Sequence, residues 1–203
     1  MPTRPHSRDR HGRNDVRASI AHAAARMIAE GLTDYRAAKQ KAARQLGITD
    51  RQSLPDNDEI EVALKEHLAL FHAQTQPHVL HALRESAIRA LQWLGQFSPW
   101  LVGAVLEGTA NEFSVIELEL AGVSEKSLAH FLLAEATEFS MADTYDQHVD
   151  GRLLRCKLEF DGVAITVTLF VNHAQRQTAR PREHLCHRRM QIQDVQKAFS
   201  SNT

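Results

Sequence analysis

The chain has 203 residues, 43% of them hydrophobic and 24% charged, with a formal net charge of -1. That is the composition of a soluble globular protein, long enough for one sizeable core or a smaller core with an added helical module. No apolar run approaches the ~20 residues needed to cross a bilayer, and the polar, basic start "MPTRPHSRDRHGRNDVR" lacks the apolar stretch of a signal peptide.

Charge is unevenly spread. Residues 1–17 hold five arginines against Asp9 and Asp15, residues 172–203 hold six Lys or Arg against Glu183 and Asp194, and the middle is net acidic. Basic ends on an acidic body fit either nucleic-acid contact or tails that fold back or stay solvated. Without interleaved aromatics the second reading ranks first. Cys156 and Cys186 lie far apart with no CxxC pairing, which reads as reduced thiols in a cytoplasmic protein.

Residues 1–13 lack apolar periodicity and read as a disordered basic arm. A helical module is expected over 14–75. Its first helix starts at Asn14 or Asp15, runs through an Ala-rich body and stops at Gly31. Thr33-Asp34 then caps "YRAAKQKAARQLG", which Gly47 ends. "AARQLGIT" resembles the start of a helix-turn-helix, but Pro55 falls where a recognition helix should be running. DNA reading is therefore a minor option. Asn57 caps a third helix, with Asp58, Glu59 and Glu61 near its positive end, and Pro77 opens a fourth.

After "SPW" the periodicity changes, and an α+β domain is expected over 76–175, followed by a basic tail with a short helix over 176–203. "LVGAVLEG" is short and apolar, "SVIELEL" alternates, and "EKSLAHFLLAEA" is an amphipathic helix. "LLRCKLEF", Asp161-Gly162 and "VAITVTLFV" read as a hairpin. The expected order is helices followed by β-β-α-β-β, a mixed sheet with flanking helices.

Within "EGTANEFSVIELEL" the alternation puts Glu117 and Glu119 on one strand face, about 7 Å apart. An acid-x-acid step after a Gly-Ser or Gly-Thr bend is what phosphoryl and nucleotidyl transfer needs. The bend holds triphosphate oxygens and the carboxylates share Mg²⁺. The plainer reading is a half-buried strand with one wet face.

These words, with the leader "AARMIAEGLTDYRAAKQKAARQLGI…SLPDNDEIEVAL", resemble small bacterial nucleotidyltransferase-like proteins of the DNA polymerase β-type superfamily. The likeness spans residues 23–64 for the leader and roughly 77–171 for the domain. It implies a nucleotidyltransferase-like fold, with Gly108, Thr109 and Ser114 binding nucleotide and Glu117 and Glu119 as catalytic, Mg²⁺-holding residues. It implies NTP as the ligand, with the tail arginines Arg176, Arg180 and Arg182 meeting its charge. The pattern is degenerate, however. Val115 stands at the first metal aspartate, a longer Glu117 at the second, and the later strand offers Thr166 and Thr168 where a third acid belongs.

Histidines give no zinc spacing. His78 and His81 stand alone on a helix, and His184, Cys186 and His187 lack a fourth ligand. Walker, HExxH and GxSxG patterns are absent. The expectation is therefore a nucleotidyltransferase-fold protein, catalytically impaired or inactive, that binds a nucleotide or a partner. One alternative is an active Mg²⁺-dependent enzyme using the Glu-x-Glu pair. The other is a regulator binding nucleic acid through its basic termini.

Overall fold

A computed structural model describes residues 8–32, 34–144, 153–170 and 189–200. The chain forms two units, Met1–Thr75 and Gln76–Thr203.

In the first unit, three helices share an alanine-rich core. Helix α1 (Arg8–Ala29) buries Ile20, Ala24, Ala25 and Ile28 at helical spacing. It begins at Arg8, ahead of the start expected at Asn14 or Asp15, so the arm set at residues 1–13 is helical over Arg8–Arg13. Periodicity marks the buried stripe of a helix, and arginine extends a helix beyond that stripe at little cost. Helix α2 (Tyr35–Gln45) is capped by Asp34, whose carboxylate accepts from the backbone N–H groups of Arg36 (2.8 Å) and Ala37 (3.3 Å). It turns Ala38, Ala42 and Ala43 inward.

After Gly47 comes only a 3-10 turn, Arg51–Ser53, and then Pro55, so no recognition helix follows α2. Helix α3 (Asn57–Phe71) is capped by Asp56, one residue before the expected Asn57. Asp56 Oδ1 accepts from Glu59 N (2.8 Å) and Glu59 Oε2 accepts from Asp56 N (2.7 Å), a reciprocal capping box. Arg17 of α1 grips Glu59 with Nε (3.1 Å) and Nη2 (2.5 Å), tying α1 to the start of α3.

The second unit is α+β. Helix α4 (Gln76–Trp93) leads to β1 (Trp100–Val102), the four-residue helix α5 (Ala104–Glu107) and β2 (Ile116–Ala121). Then come α6 (Glu125–Ala134), β3 (Phe139–Thr144), β4 (Leu153–Phe160), β5 (Val163–Phe170) and α7 (Ile192–Ser200). The strands lie in the order β1-β2-β5-β4-β3. Only β2 and β5 run parallel. The hairpin turn at Asp161 (φ 52) and Gly162 (φ 74) has the left-handed backbone that two-residue connections favour.

Two features depart from the expected β-β-α-β-β order. "LVGAVLEG" is a strand plus a short helix, and β3 was not anticipated. Beta3 is an edge strand of weak β-formers, "FSMADT", with only Phe139, Met141 and Thr144 partly covered.

One sheet face packs on helices. Leu101, Ile116, Leu118, Leu120, Cys156 and Val167 are 0% exposed and cluster with Ala87 and Leu91 of α4, Leu128 and Leu132 of α6, and Val195 of α7. Each such leucine or isoleucine contributes roughly 1.5–3 kcal/mol by leaving water. The Cys156 thiol is pushed up to about 11 by this burial. Among the described residues, no helix is long and apolar enough to cross a membrane.

Candidate functional site on the second sheet face

Strand alternation sends every second residue of β2, β5 and β4 to the other face of the sheet, and the register lines them up. Glu119 pairs with Thr168 and Thr168 with Arg155, while Glu117 pairs with Thr166 and Thr166 with Lys157. Two parallel rows thus run from acid through hydroxyl to base. Neighbouring strands are about 4.8 Å apart, so acids and bases stand roughly 10 Å from each other across the threonines. Beyond the bases, β3 contributes only Ala142 opposite Arg155 and Ser140 opposite Lys157. Beyond the acids, β1 places Trp100 opposite Glu119 and Val102 opposite Glu117. Ala121, Leu153 and Phe170 close one end with a small apolar cluster.

The two glutamates differ in surroundings. Glu119 accepts an ion pair from Arg189 Nε at 2.8 Å, with its side chain 12% exposed. Arg189 is brought there by Met190, whose backbone bonds to Leu101 in β1 in both directions (2.9 and 3.1 Å). Solvent reaches Glu117, yet protein crowds its carboxyl enough to raise its pKa, and Arg155 opposes that shift only in part. The crowding group is Gly103, at the bend between β1 and α5. A Cβ on Gly103 would overlap Glu117 Oε2 and stand 2.9 Å from its Cδ, and the residue has φ +75. The positive φ favours glycine at this bend, and a larger residue would also displace the Glu117 carboxyl.

The residues assigned to nucleotide are held elsewhere by local structure. Gly108 ends α5 with φ 87. Gln76 of α4 donates from Nε2 to the carbonyls of Gly108 (3.1 Å) and Ala110 (3.0 Å), and Thr109 is 2% exposed. Ser114 Oγ accepts from Asn111 N (2.9 Å) and donates to Asn111 Oδ1 (3.2 Å), closing a turn. The glycine that meets the acid pair is Gly103, not Gly108. The motif "LVG" ahead of a helix was its only sequence signal. Arg155 and Lys157 were also missed, although the alternation of "LLRCKLEF" already puts them on one face. Arg176, Arg180, Arg182, His184, Cys186, His187 and the arm's first seven residues lie outside the described residues.

Mg²⁺ needs several convergent oxygen ligands in near-octahedral array. Among the described residues, no group of three or more His, Cys, Asp or Glu comes together that could hold a metal. Of the acid pair, one carboxylate is engaged by a guanidinium, and desolvation raises the pKa of the other against the opposing charge of Arg155. Val115 supplies no oxygen from its side chain, and Thr166 stands beside Glu117 where a third acid would be needed. Among the described residues, this face offers fewer oxygen ligands than a Mg²⁺ centre needs. Fold and face together define a mixed α+β unit with helices on one side of its sheet and ordered charge on the other. No protein-family model matches the chain, and no curated protein matches it in sequence.

Proposed function

We propose that Gln76–Thr203 is a nucleotidyltransferase-like scaffold that binds a nucleotide and has lost metal-dependent transfer. The observation that carries this reading is the 2.8 Å ion pair between Arg189 Nε and Glu119 Oε2. It sets a cation of the protein against Glu119, so one of the two carboxylates is already paired within the protein itself. An acid-x-acid step on β2, with the glycine bend at Gly103 packed on Glu117, is the feature that supports the ancestry.

The test is transfer from labelled NTP to cell-extract acceptors with Mg²⁺ or Mn²⁺. No labelling above background is expected from the purified protein. Robust labelling that disappears in Glu117→Ala would establish the active enzyme instead.

A further inference from the structure

We infer that Arg155 and Lys157 of β4 hold the phosphates of the nucleotide, as protein-borne cations in place of a metal. This rests on the nucleotide-binding reading and adds the residues and the ligand class, a nucleoside di- or triphosphate.

Three observations converge. Arg155 and Lys157 stand at i and i+2 on one strand, so both side chains leave the same face about 7 Å apart. Both are exposed, and neither has a hydrogen-bond or ion-pair partner among the described residues. Their neighbours across the strands are small or hydroxylated: Ala142 and Ser140 on β3, Thr168 and Thr166 on β5. No carboxylate sits directly opposite either cation to neutralise it. The nearest on the face along β4 is Glu159, two residues past Lys157, and Glu117 and Glu119 stand two strands away. A guanidinium and an ammonium, flanked by two threonine hydroxyls, offer a phosphate both charge and neutral donors.

The size of the anion follows from the surroundings. Glu117, Glu119 and Glu159 share this sheet face, and a long polyanion laid across the two cations would be repelled by them. A short polyphosphate reaches both cations without extending past them. Glu117, roughly 10 Å across the threonines, is a hydrogen-bond partner for the hydroxyls at the sugar end.

The experiment is calorimetric titration of the full chain with ATP, ADP, adenosine and inorganic tripolyphosphate, in EDTA and again with Mg²⁺. Wild type is compared with Arg155→Gln/Lys157→Gln and with Glu117→Gln, and circular dichroism confirms that each variant is folded. Charge-assisted hydrogen bonds make the expected loss for the double variant about tenfold or more for ATP and tripolyphosphate in EDTA. Adenosine should bind weakly and equally to both proteins. ATP binding in EDTA that the double variant leaves unchanged overturns the role of Arg155 and Lys157 and leaves the nucleotide reading standing. ATP binding that requires Mg²⁺ and is lost in Glu117→Gln overturns the metal-free reading itself. Failure of wild type to bind any phosphate compound overturns both. Should a double variant unfold, Arg155→Lys with Lys157→Arg, which keeps both charges, must retain binding while Lys157→Glu must lose it.

Discussion

Glu117 is where local crowding and charge meet most directly. Its carboxyl lies against the backbone of Gly103, and crowding by protein raises its pKa despite the opposing field of Arg155, although solvent still reaches the side chain. An acid whose folded-state pKa is raised binds its proton more tightly folded than unfolded. Its stabilising contribution is therefore greatest below the ordinary carboxylate range and declines as pH rises through the shifted value. Glu117→Gln removes the cost of ionisation while keeping the shape. Its urea midpoint is expected to exceed wild type at pH 7, and the gap should close as the pH falls to 4. A midpoint below wild type at pH 7 would show that the charged form is the one the fold favours. The acid pair itself was legible in the sequence, because a strand's period of two can be read from seven letters. The partners of the two acids were not. Gly103 and Arg189 reach Glu117 and Glu119 through tertiary packing over sequence distances on which periodicity is silent.

At the scale of elements, helices left clear signatures and short strands did not. Leu64 and Leu68 of α3, Ala87 and Leu91 of α4, the Gly47 stop and the Asp161-Gly162 turn could be read from spacing and turn chemistry, whereas Phe71, at the same helical spacing on α3, is exposed. Beta3 could not, since an edge strand covered on one side needs few β-formers. The N-cap of α3 was misplaced by one residue because Asp56 and Asn57 are both good caps. What decides between them is the reciprocal bond from Glu59, which stands three residues after Asp56. Asp56→Ala should accordingly cost about 1 kcal/mol, measured by urea denaturation of the full chain. Asn57→Ala should cost much less. Equal losses would mean that the box contributes nothing beyond the first turn's charge.

Over the whole molecule, the two units solve different problems. Met1–Thr75 builds a core from alanines and a few larger residues, held by the Arg17–Glu59 grip. Gln76–Thr203 spends its apolar residues on one face of a five-stranded sheet and leaves the other to ordered charge. The α+β class was readable because periodicity switches from helical to alternating after residue 97. The chemistry of the charged face was only half readable. It depends on which strands become neighbours, and β5 inserts between β2 and β4 only in the folded sheet. The central claim is that this face has exchanged a metal for protein cations. Titrating Mn²⁺ into the purified full chain and following the free-ion signal by electron paramagnetic resonance tests that claim most directly. A signal that rises in proportion to added metal, as it does in buffer alone, is expected for wild type. Stoichiometric loss of the signal that Glu117→Gln restores would contradict it.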